Sequence, residues 1–197
     1  MVKSNPDFIV GIGGSAGGLK AYVALLGALP SNTGMAFVFI AHMSPTGNSL
    51  LADLLARSTN MTAIEATDGM PIEANHVYVI PPNADLLIES YTFKVISPRT
   101  MNQGRHKQVD RFLISLADAM GTRAIGIILS GGDGDGTEGC KHIKAKGGKT
   151  FAQDLSADVE SMPLHAEASG CVDSVLPPDK ISEELIKISA RFTHNKQ

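Results

Sequence analysis

The chain has 197 residues, 43% of them hydrophobic and 19% charged, which is enough to close a buried core and too apolar for a disordered chain. A formal net charge of −3, no Trp and no basic cluster interleaved with aromatics exclude a general attraction to nucleic acid or anionic lipid and any stacking platform for single strands. Cys140 and Cys171 lie far apart in the sequence and form no CxxC pair, so they read as reduced thiols rather than as a disulfide framework or zinc site. The polar stretch 1–7 carries no apolar run, so neither a signal peptide nor a membrane span is expected, and the expected location is cytoplasmic.

In chain order, Phe8 to Gly13 reads as a buried strand, and Leu19, Tyr22, Leu25, Leu26 and Leu29 recur at helical spacing until Pro30 stops them. Met35 to Ala41 is a second apolar strand, Ser49 to Arg57 a helix, and Ala63 to Ala66 a weaker strand. Val77 to Ile80, Leu86 to Glu89 and Phe93 to Ile96 are short strands separated by turn residues and are expected to form a small antiparallel patch. Val109 to Met120 is a helix with Phe112, Leu113, Leu116 and Ala117 on one face. Ala124 to Leu129 is the most hydrophobic strand, Gly131 to Gly136 the most Gly-rich turn, and Thr137 to Lys146 the helix after it. Thr150 to Gln153 and Val172 to Leu176 are further strands, and Ile181 to Ser189 is a closing helix.

Strands alternating with helices predict an α/β fold: a doubly wound, mostly parallel sheet with helices on both faces and a small antiparallel hairpin insertion. The expected division is a polar extension over 1–7, one domain over 8–190 and a tail over 191–197. In such sheets the reactive site lies beyond the carboxyl ends of the strands. Three segments there carry chemistry.

The first, Gly13-Gly14-Ser15-Ala16-Gly17, fits the G-x-S-x-G frame of a nucleophilic serine on a strand-to-helix turn. The small neighbours permit a sharp bend, and the following helix start offers amides for an oxyanion, Ala16 among them. The same stretch reads Gly11-x-Gly13-x-x-Ala16, close to a dinucleotide fingerprint, yet the second strand ends in Phe39-Ile40-Ala41-His42 with no acid for a ribose. The second is His42, which a parallel sheet would bring beside Ser15 as a base with a suitable ordinary pKa. The third is Leu129-Ser130-Gly131-Gly132-Asp133-Gly134-Asp135-Gly136-Thr137, where one aspartate would hold the histidine in the right tautomer. Spacing alone does not choose between Asp133 and Asp135. The two acids fall short of a calcium loop, and no metal site is assigned.

Together these segments resemble the CheB-type chemotaxis methylesterase catalytic domain, from about Phe8 to about Ile188. Asp68-Gly69, Val77-Tyr78-Val79-Ile80-Pro81-Pro82, Ala152-Gln153-Asp154 and Met162-Pro163 also resemble blocks of that family. The resemblance implies Ser15 as nucleophile, His42 as base and Asp135, rather than Asp133, as the orienting acid. It implies hydrolysis of glutamate γ-methyl esters on chemoreceptor or related signalling proteins, with glutamine deamidation as a second activity. Neither a metal nor an organic cofactor is expected. The oxyanion donors are assigned to the backbone of Ala16 and Gly132, although Gly132 stands where the family commonly has methionine. Met43 and Met162 are assigned to a substrate groove. The segments Asp110-Arg111-Phe112 and Pro81 to Asp85 look more like versions fused to methyltransferase or sensory domains, so such a fusion is expected of the full-length protein. The competing readings are a nucleotide- or phosphate-binding module on the Gly13 to Gly18 turn, and a regulatory domain of the same fold without catalysis.

Overall fold

The computed structural model describes residues 4–42, 50–99 and 107–194. Among them, seven strands form one parallel sheet: β1 (Phe8–Gly14), β2 (Met35–Ala41), β3 (Thr62–Glu65), β4 (His76–Val79), β7 (Ala124–Ile128), β8 (Lys149–Gln153) and β9 (Ser174–Leu176), in the order β3-β4-β2-β1-β7-β8-β9. A separate antiparallel hairpin joins β5 (Asp85–Glu89) to β6 (Thr92–Ile96). The segment Val77 to Ile80, expected beside that hairpin, instead supplies β4, parallel to β2 and β3. The reason is burial: Val77, Tyr78, Val79 and Ile80 are all inside, as befits a strand covered on both faces.

Helices cover each face, and the two-residue period of the strands sorts the core into two layers. Phe8, Val10, Ile12, Phe37 and Phe39 point to the face held by α1 (Gly18–Gly27), α2 (Leu51–Ala56) and α6 (Pro178–His194). Ile9, Ala36, Val38 and Ile40 point to the other, held by α3 (Gln108–Met120), α4 (Thr137–Ala145), α5 (Ser161–Ala168) and the hairpin. Two differences from the sequence reading follow from packing. The stretch that forms α5 shows almost no amphipathic segregation, so its periodicity predicts no helix; Met162 and Ala166 anchor it. Helix α6 continues to His194, past the expected domain end at residue 190, and Phe192 meets Phe8 edge-on at 5.0 Å. The expected tail therefore contributes packing as far as it is described, while 195–197 lie outside the described residues. At the other end Ser4 accepts a hydrogen bond from Ala74 N–H and Asp7 N–H donates to Gly34, so residues of the expected extension are pinned too.

The site depends on how closely α3 approaches β1. Gly11 and Gly13 face α3, and a Cβ on Gly13 would collide with Cγ1 of Val109. Helix α3 therefore lies against the carboxyl half of β1, with its N-terminus beside the strand ends. No helix among the described residues is long and apolar enough to cross a membrane. Gly13→Ala is expected to overpack this contact and destabilise the fold by about 1–3 kcal/mol, because Val109 is β-branched and cannot swing aside. Thermal denaturation checks it, with Tm falling roughly 2–4 °C per kcal/mol.

Candidate active site

Strand order makes the crevice. The chain leaves β1 for α1 on one face and leaves β7 for α4 on the other, so the loops after these adjacent strands part from each other. This is the topological switch point where open α/β sheets bind ligands. Ser15 is the first residue beyond β1 there, and its N–H donates to Ser130 O at 2.9 Å across the gap to the β7 loop.

The Ser15 turn is tight. Gly18 N–H returns to Ser15 O at 2.9 Å, and Gly17 takes the left-handed conformation, with φ of 72°, at the start of α1. A side chain at Gly17 would be strained there and would press on Ser130 Oγ and Asp158. Ala16 and Gly17 stand exposed at the helix entrance, where free amides attract negative charge. A cavity of about 250 Å³ opens beside the turn, lined by Gly17, Lys20, Ala24, Gln153, Asp158 and Pro178 among others.

His42 arrives by register. Gly14 pairs with Ala41, so the next residues on the two strands, Ser15 and His42, emerge side by side, and His42 N–H donates to Gly14 O at 3.3 Å. Adjacent strands lie about 4.8 Å apart. The imidazole Nε2 meets Asp135 Oδ2 at 2.8 Å, and Nδ1 lies 3.5 Å from Asp133 Oδ2. Both candidate aspartates thus reach the histidine, but differently. Asp135 is 1% exposed and Asp133 about half exposed. Burial alone would push the His42 pKa down; the hydrogen bond and charge of Asp135, helped by Asp133, outweigh burial and the opposing Arg99, and hold it above its ordinary value.

Asp135 is fixed by helix α3. Its Oδ2 also accepts from Val109 N–H at 3.0 Å, and its Oδ1 from Asp110 N–H at 2.9 Å. Burial opposes its charge, but the His42 contact and these two amides, at the positive end of a helix, keep its pKa below the usual carboxylate range. Asp133 Oδ1 in turn accepts from Asp135 N–H at 3.0 Å, which folds the loop back on itself.

The structure brings Ser15, Ala16, His42 and Asp135 to one end of the sheet, and it places Gly132 on the exposed part of the β7–α4 loop. A Cβ on Gly132 would touch nothing within 4 Å, so packing does not require glycine there. Met162 is a correction: it is 0% exposed, its side chain lies under Gly131, and it props the loop from beneath instead of lining an open groove. Met43 lies outside the described residues.

Two residues without a role in the sequence reading hold the loops together. Buried Ser130 Oγ donates to Ala16 O at 2.7 Å and accepts from Val159 N–H at 3.0 Å, and Gln153 Oε1 accepts from Ser130 N–H at 3.0 Å. A serine just past the most apolar strand was the only available signal for the first; nothing local marked the second beyond its family-like block.

Replacing Asp133 by Asn removes one charge that supports the imidazolium. The His42 titration is therefore expected to move down toward the ordinary value of about 6.5, so that the neutral imidazole persists to lower pH. NMR titration of the imidazole signals reads this directly.

Comparisons with known proteins place the fold in one family. The family model described as CheB methylesterase matches residues 10–185. A Leptospira interrogans relative, provisionally named protein-glutamate methylesterase/protein-glutamine glutaminase, is 34% identical over 179 residues, covering 90% of this chain and 92% of its own length. A Geobacter sulfurreducens protein-glutamate methylesterase/protein-glutamine glutaminase is 32% identical over 184 residues, and the match spans 91% of this chain but 49% of that protein. The crystal structure of the Thermotoga maritima CheB methylesterase catalytic domain superposes with a TM-score of 0.84 at 30% identity, covering 92% of this chain and 98% of that one. With its fold shared across nearly the whole domain and the family model matched from strand β1 to helix α6, this chain belongs to the CheB methylesterase family.

Proposed function

We propose that the domain hydrolyses glutamate γ-methyl esters on chemoreceptor or related signalling proteins through Ser15, His42 and Asp135. The observation that carries this reading is the register of β1 and β2 at the switch point, which sets His42 beside Ser15 while its far nitrogen is bound by Asp135 at 2.8 Å.

With Nε2 engaged by Asp135, the proton of Ser15 passes to Nδ1, which lies 3.5 Å from the half-exposed Asp133 carboxylate, as Oγ attacks the ester carbonyl. Asp135 holds the ring and stabilises the imidazolium that forms, a task suited to a carboxylate kept ionised by helix amides. Amides of Ala16 and the Gly132 region receive the oxyanion. The imidazolium then protonates departing methanol, leaving an acyl-enzyme on Ser15 Oγ. Water, deprotonated by His42, releases the glutamate carboxylate and restores the serine. The same route with ammonia as leaving group deamidates glutamine. It requires no metal or organic cofactor. The catalytic unit takes in the elements from Phe8 to His194 and works in the cytoplasm, either alone or fused to methyltransferase or sensory domains.

Methanol release from methylated receptor fragments tests the reading. Ser15→Ala is expected to retain the wild-type fold and lose on the order of 10⁴-fold or more in kcat. Equal turnover by the two proteins, or none by wild type across several methylated receptors, would remove the serine mechanism.

A further inference from the structure

Two helices at this site lack caps of their own. Lys107 at the start of α3 and Gly136 at the start of α4 provide no side-chain cap. The caps are exchanged. Asp135, just before α4, accepts the Val109 and Asp110 amides of α3. Asp110, in the first turn of α3, accepts the Gly136 and Gly139 amides of α4, both on Oδ1 and both at 2.9 Å. Each carboxylate satisfies the helix that carries the other.

We propose that Asp110 is a positioning residue for the triad, fixing through the Gly136 and Gly139 amides the loop end that aims Asp135 at His42. The inference rests on the triad reading above. Local capping would need only a serine or threonine at the start of each helix. Here a second carboxylate is buried instead, 5% exposed and close enough to Asp135 for mutual repulsion. Burial and the Asp135 charge raise the Asp110 pKa against the Gly139 amide and Lys107, whose Nζ lies 3.3 Å from Oδ2. That arrangement is costly as a cap alone. What it adds is rigidity: with Gly136 held from α3, Asp135 cannot tilt away from His42 without breaking bonds at both helix ends.

Among the described residues, the charged groups facing His42 are Asp135 and Asp133 from the β7–α4 loop and Arg99 from the segment after β6. Asp110 acts on His42 only through Asp135. Asp110→Ala frees the loop, weakens the hold of Asp135 on the imidazole, and is expected to lower the His42 titration midpoint and reduce kcat on the order of 10²-fold with KM little changed. Asp110→Asn keeps an oxygen for both amides and is expected to restore most of kcat and the wild-type midpoint. Leu116→Ala, in the buried face of α3, serves as the purely structural control and is expected to lower Tm without moving the midpoint. If Asp110→Ala does not fold, Asp110→Ser, whose oxygen sits one bond short of the amides, takes its place. An alanine or serine variant with lower Tm but an unchanged midpoint and kcat overturns the proposal, and so does an asparagine variant as impaired as alanine. The NMR midpoint is read without substrate, so a failed esterase reading and a failed positioning role give different results.

Discussion

The carboxylate of Asp135 is where the fold and the site meet. One oxygen is shared between the imidazole of His42 and the amide of Val109, and the other takes the amide of Asp110. A buried anion at this depth survives because a helix N-terminus is aimed at it. Helix α3 can deliver that terminus only because Gly11 and Gly13 let it lie against β1. The glycines of the first strand therefore serve the acid on a loop more than a hundred residues away, as well as the turn that follows them.

The parallel sheet works as a ruler. Register alone decides that Ser15 and His42 leave β1 and β2 together, and strand order alone decides that the β7 loop flanks Ser15 on the other side. The histidine then lies between two carboxylates of different character. Asp135 is buried and ordered by amides, whereas Asp133 is half solvated and lies 3.5 Å from Nδ1. Water screens the second more than the first, so Asp135 holds the ring more firmly than Asp133 does.

Beneath the reactive groups runs a layer of small polar contacts. Ser130 ties the serine turn to the β8–α5 connection, Gln153 ties Ser130 to β8, and Met162 fills the space below Gly131, whose amide and carbonyl bond to Val159 and Met162. They set the distance between the Ser15 turn and the glycine loop, the dimension that fixes where an oxyanion could sit.

The alternation of strands and helices, the small-residue turn around Ser15 and the acid-bearing glycine loop are legible in the sequence, because these are local: hydrophobic period, glycine at sharp bends, polar residues at strand ends. The sequence also carried the family resemblance through blocks spread along the chain. Three things were decided by tertiary structure, the first of them against the expectation from sequence. The assignment of Val77 to Ile80 to the parallel sheet depended on what covers its two faces. The stretch Ser161–Ala168 became a helix without an amphipathic stripe, since it is anchored by only a few buried side chains. The different surroundings of Asp133 and Asp135, two residues apart and equal in composition, were set by the amides of α3, a partner that no local spacing reveals. Local propensity acts over a few residues, whereas the burial of a charge and the direction of a helix end are properties of the assembled chain.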